Sequence, residues 1–219
     1  MALSWPEATA APWTHDDGAL YARASVAQEQ IEGLSAWRAD LYAEYGLSDT
    51  LTLSLKTEAV AFESGAEDFD TQGWRATLRQ RIFQSDTFNL TLEGGVLKGG
   101  AIGGTNGCET LGIEVRGGAS WSGDLWDHQT FTFAEAVQRE HERCRRTRYE
   151  AGFGQEIVDN LWSVTQVWIQ RGPQRGDSNK TQTEMMWRRE HADYSVGYRR
   201  EYGGNFREES IFLAVAKRF

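Results

Sequence analysis

No run of apolar residues in this chain approaches the roughly 18 that a membrane-crossing helix needs. The mean hydropathy is low, at −0.57. Spanning helices are excluded by this, but spanning strands are not, because a wall that alternates lipid-facing and lumen-facing residues averages to a polar value. Proline is scarce, with 3 residues, and cysteine scarcer, with 2. Positive charge is not in excess either: the net charge of −9 argues against nucleic acid as a partner. Residues 1–17 have no basic n-region and no apolar h-region, so no secretory signal is visible. The chain is therefore read as a mature form carrying an added Met1. A cytoplasmic β-protein is the alternative favoured by that absence.

What the chain does have is glycine, with 23 residues, and tryptophan, with 9. It also has short segments of period two, recurring about every 18 residues, the length of a tilted spanning strand plus its turn. The segments fall at 19–31, 35–45, 51–62, 73–83, 87–97 and 108–121, then 126–140, 146–156, 161–171, 180–190, 194–202 and 206–219. Twelve strands in 219 residues predict a single all-β domain: a closed antiparallel up-and-down barrel over 18–219.

Alternation is clearest in two places. In 36–46, Trp37, Ala39, Leu41, Ala43 and Tyr45 alternate with Arg38, Asp40, Tyr42 and Glu44. In 110–121, Leu111, Ile113, Val115, Ala119 and Trp121 alternate with Gly112, Glu114, Arg116, Gly118 and Ser120. Alternation alone does not say which face is inside, and a soluble barrel would bury the apolar one. Three features favour the inverted, membrane polarity. Aromatics gather at strand ends on the apolar face, among them Trp37, Tyr45, Trp74, Phe88, Trp121, Trp187, Tyr194 and Phe219. That face is rich in Ala, Leu and Val and short of bulky packing. Tight turns at Ser48-Asp49, Ser85-Asp86, Ser122-Gly123, Asp159-Asn160 and Ala192-Asp193 alternate with longer, more polar loops near 63–72, 98–107, 141–146 and 172–179.

The chain ends Ile211-Phe212-Leu213-Ala214-Val215-Ala216-Lys217-Arg218-Phe219, an alternating strand closing on an aromatic. The ending resembles the C-terminal assembly signal of proteobacterial outer-membrane β-barrels, and Tyr45-Gly-Leu-Ser-Asp-Thr-Leu-Thr-Leu-Ser-Leu resembles a strand-turn-strand unit common in them. Lys217 departs from the pattern, standing where a Tyr or aliphatic residue is usual. The resemblance implies the bacterial outer membrane, with both termini periplasmic. It also implies a bilayer with lipopolysaccharide, together with small polar solutes, as partners. Residues 1–17, with Pro6 and Pro12, lack alternation and read as a periplasmic tail or a plug folded into the lumen.

The polar faces of the strands carry Arg38, Asp40, Glu44, Lys56, Glu58, Arg75, Arg79, Arg81, Glu93, Glu114, Arg116, Arg148, Glu150, Glu184, Arg188 and Arg199. In this polarity they line the lumen. Such a wall makes either a narrow passive channel for small polar or charged solutes, or a closed barrel cross-linked by Arg–Glu pairs that works through loops or a partner. Twelve strands enclose more space than side chains fill in eight, which keeps the channel reading first. A five-residue connection from Gly46 to Thr50 would pair Tyr45 with Leu51, Asp40 with Lys56 and Arg38 with Glu58.

Cys108 is expected to open one strand and Cys144 to follow the next, placing both on the extracellular rim, where a disulfide suits an oxidising compartment. No enzyme is expected. A lipid hydrolase would need a Ser near a His, and His141 at the rim has none on neighbouring strands; His128 and His191 read as turn residues and His15 lies in the tail. The acidic loop Glu63, Glu67, Asp68 and Asp70 lacks calcium-loop spacing, so no metal or other cofactor is expected.

Overall fold

A computed structural model describes residues 12–63, 69–103, 107–172, 177–203 and 206–219. Its first six strands are β1 (Leu20–Ile31), β2 (Leu34–Ser48), β3 (Leu51–Phe62), β4 (Thr71–Gln84), β5 (Phe88–Lys98) and β6 (Gly112–Leu125). The second six are β7 (His128–His141), β8 (Arg145–Val158), β9 (Leu161–Arg171), β10 (Ser178–Arg188), β11 (Asp193–Gly203) and β12 (Phe206–Arg218). Each strand pairs antiparallel with its chain neighbours, and β12 pairs with β1 from Tyr21↔Arg218 to Ile31↔Glu208. The wall therefore has no free edge, the condition for a sheet to stand in lipid. A short helical turn, α1 (Gly100–Gly103), follows β5.

Hairpin chemistry explains several connections. Glu32 and Gly33 join β1 to β2 with φ of 49° and 84°, and Trp126 and Asp127 join β6 to β7 with φ of 55° and 63°. Two successive positive φ values make a primed turn, whose twist matches that of the strands it joins.

The polarity is inverted. Leu41, Ile113 and Val115 are 58%, 56% and 58% exposed on the outer face, whereas Arg79, Glu114 and Arg116 are 0%, 1% and 2% exposed inside. Leu78 and Leu90 also face outward. Burying charge while exposing aliphatics is unfavourable in water, so the outer face is a membrane face. Trp37, Tyr45, Trp74, Trp187, Tyr194 and Phe219 stand exposed towards the strand ends.

Several local expectations needed correction. Ser122-Gly123 is not a turn: Ser122 and Gly123 continue β6 opposite Phe131 and Thr130. The outward apolar residue that would have marked the strand there is missing, because the Trp121 ring lies over Gly123, where a Cβ would sit 2.6 Å from it. Cys108 does not open a strand, since the pairing of β5 with β6 starts at Leu97↔Gly112 and leaves Cys108 outside β6. The β2–β3 register differs from the expectation by two residues. Tyr45 faces Leu53, Asp40 faces Glu58, Tyr42 faces Lys56 and Arg38 faces Val60. The chain turns tightly at Asp49-Thr50, with an irregularity between Gly46 and Ser48, and has no five-residue loop there. An even slip keeps every side chain on its face. Glu67 and Asp68, and residues 1–11 of the expected N-terminal tail or plug, lie outside the described residues.

Candidate functional site

Among the described residues the lumen wall carries two large networks of ion pairs and an aromatic sector around Phe131, and each follows from which strands face each other inside. The first network covers β1–β3 and β10–β12. Arg38, 7% exposed, places Nε 2.6 Å from Glu29 and Nη2 3.2 Å from Glu208, and pairs with Glu58 through Nη1. Lys56 Nζ lies 3.0 Å from Asp40 and 2.8 Å from Glu58, so one ammonium separates two carboxylates that the register sets opposite each other. These diagonal contacts preserve the Arg38–Glu58 and Lys56–Asp40 pairs despite the shifted register, since long side chains reach across i, j±2. Arg23 clasps Glu184 with two nitrogens at 3.3 and 2.8 Å, reaching from β1 to β10.

The second network runs over β2 and β4–β8. Arg79 is its pivot, with Nε 2.8 Å from Glu93 and Nη1 2.7 Å from Glu44. Arg116 bonds Glu135 at 2.6 Å and Glu114 at 3.1 Å. Glu114 also takes Arg75 at 3.2 Å and Arg139 at 2.5 Å, and Arg148 holds Glu150 at 2.6 Å. Fully enclosed charges persist only when paired and hydrogen-bonded. Arg81 and Arg188 stand apart, both half-buried near the turn-side ends of their strands, with the Arg188 guanidinium 5.0 Å from the centre of the Trp162 ring.

Glu29, Glu135, Arg139, Glu208 and Arg23 belong to these networks but were not anticipated. On β7, the inward face reads Phe131, Phe133, Glu135, Val137, Arg139, so two aromatics hide the polar stripe. The missed signal was the facing strand: Gly152 and Gly154 on β8 leave the space that the Phe133 and Phe131 rings occupy.

Those rings begin the aromatic sector. Phe131, Phe133, Trp162, Val164 and Met186 form a buried cluster with Trp13, which precedes the barrel in sequence. Trp13 meets Phe131 edge-on at 5.6 Å and Phe133 at 6.3 Å. Its carbonyl accepts Arg79 Nη1 at 2.7 Å. His15 Nε2 lies 2.9 Å from Glu44, and its backbone N–H donates to Thr52 Oγ1 at 2.9 Å. Pro12 packs on Gly118 of β6, and Gly46 lacks the Cβ that would strike the Asp16 carbonyl. Residues 12–16 thus cross the lumen at the end where the chain termini meet.

The opposite end is narrowed by a different segment. Arg139 Nη1 donates to the Ile102 carbonyl at 2.9 Å, and Gly73 on β4 leaves room for the Ile102 backbone, 3.0 Å from where a Cβ would stand. The loop carrying α1 is tied by a Cys108–Cys144 disulfide, with Cα atoms 5.1 Å apart. Beside it His141 Nδ1 faces the Thr110 carbonyl at 2.9 Å.

The sequence matches no protein family model and no curated protein. Solved structures share the architecture. The NanC porin aligns with a TM-score of 0.66 at 10% identity, over 89% of this chain and 98% of that one. The KdgM porin in complex with disordered oligogalacturonate aligns at 0.60 and 7% identity, over 90% and 99%. An outer membrane channel from Pseudomonas putida F1 aligns at 0.59 and 12% identity, over 98% and 100%. At such identities the likeness is one of fold: a closed antiparallel barrel of twelve strands.

Proposed function

We propose that this chain is a narrow outer-membrane channel for small polar or charged solutes, closed at rest by its own N-terminal segment. The observation that carries this reading is the lumen wall, where charges of both signs line the inside of a barrel whose exterior is apolar. The names of the similar structures, two porins and a channel, support it. In this reading both termini face the periplasm, the loop with α1 faces outward, and Phe219 ends the closing strand as an assembly signal. Arg38, Asp40, Lys56 and Glu58 sit beside the solute path on one side, and Arg75, Arg79, Arg116 and Glu150 on the other. Charges balanced across the wall favour solutes by size and polarity over a single sign. The Cys108–Cys144 bridge holds the outward loop and has no catalytic part. Residues 12–17 act as the plug, because they fill the one end of the lumen that no disulfide closes.

A second reading is favoured by the density of the ion pairs themselves: a permanently closed barrel acting through loops or a partner. Solute-driven swelling of liposomes carrying a variant that lacks residues 1–17, and with them the plug, separates the two. Swelling by small sugars and amino acids, falling with solute size, is the expected result. Liposomes that stay inert to every solute, with the protein shown to be folded, would favour the closed barrel.

A further inference from the structure

Lys217, the residue that departs from the usual closing strand, lies on the rim of a concavity on the outer face. On that face Ala22 stands opposite both Ala43 and Lys217, and Ala24 opposite both Leu41 and Val215. The three alanines floor a trough of about 430 Å³ between a ridge on β12 that ends in Phe219 and a ridge on β2–β3 that includes Leu55. The Lys217 ammonium lies 4.5 Å from the centre of the Phe219 ring, at the end of the wall where the termini meet.

We infer that this trough is a binding site for one phospholipid, with an acyl chain laid along the alanine floor and the phosphate held by Lys217. A membrane barrel normally presents an even apolar belt to lipid. Here missing side-chain volume makes a channel for a chain, and a cation stands at its interfacial end, where a long side chain can extend towards headgroups. The only chemistry that reaches this surface is lipid or another membrane protein. A second copy of this chain fits poorly. A two-fold contact sets the same patch against itself, which here would face trough to trough and bring Lys217 near Lys217. The inference does not depend on the lumen being open.

The test is native mass spectrometry of the full-length protein from vesicles of palmitoyl-oleoyl phosphatidylglycerol after a detergent wash. One lipid retained per barrel is expected. Lys217→Glu should weaken retention by about thirtyfold, since each basic residue near an anionic lipid surface contributes a factor of roughly five and the reversal counts twice. Ala24→Leu with Ala43→Leu, which adds only apolar bulk to a lipid-facing surface, should abolish retention while heat-modifiable gel mobility shows the barrel folded. Retention unchanged in both variants would overturn the site. Efficient disulfide dimerisation of Ala43→Cys in vesicles would overturn it in favour of a second copy.

Discussion

The two ends of the lumen are narrowed by segments of similar size but opposite fastening. At the loop end, α1 lies against β4 and its loop is tied covalently through Cys108 and Cys144. At the terminus end, residues 12–16 are held by contacts alone: a ring cluster around Trp13, the Arg79 bond to its carbonyl, and the His15–Glu44 pair. A covalent tie fixes a constriction, whereas a set of weak contacts can be released. In the proposed channel this difference puts the gate at the terminus end and leaves the loop end to shape.

The largest expected effect breaks the frame common to both ends. Arg38→Ala removes the guanidinium that Glu29, Glu58 and Glu208 share, leaving Glu58 only Lys56 and Glu29 only the longer contact to Arg199 at 3.7 Å, so urea unfolding from lipid should show a loss of about 3–5 kcal/mol. A loss below 1 kcal/mol would mean that the network carries no structural weight. Next, reducing the disulfide or replacing both cysteines with Ser should cost about 2–4 kcal/mol for a loop of this length. Protease access to residues 12–17 should stay unchanged. Increased cleavage there would show the two ends to be coupled. Third, Trp13→Ala should lower stability by less than the about 3–5 kcal/mol of a trapped Trp→Ala void, because the short segment can leave and release the strain. Cleavage at 12–17 should then rise. The smallest effect sharpens the comparison within the wall: Lys56→Glu, set between Asp40 and Glu58, should shift reversal potential towards cations in the opened channel.

How much of this was legible depended on what shares a face. Trp37 against Arg38 and Ile113 against Glu114 are clean alternations, so β2 and β6 were readable, and with them the closure and the inverted polarity. β7 resisted because Phe131 and Phe133 point the same way as Glu135 and Arg139, which mixes the two chemistries that alternation separates. The β2–β3 register resisted because two registers one dyad apart bring the same charges within reach. The placement of Trp13 rests on partners on β4, β7 and β9, contacts that no local pattern encodes. Cys108 and Cys144 were assigned to one rim by strand order alone.

Planar-bilayer recording of the intact protein beside a variant lacking residues 1–17 tests the central claim most directly. The intact chain should be silent or open rarely, and the shortened one should give frequent, uniform conductance steps. Equal silence from both, with both barrels folded, would contradict a channel closed by its own N-terminal segment.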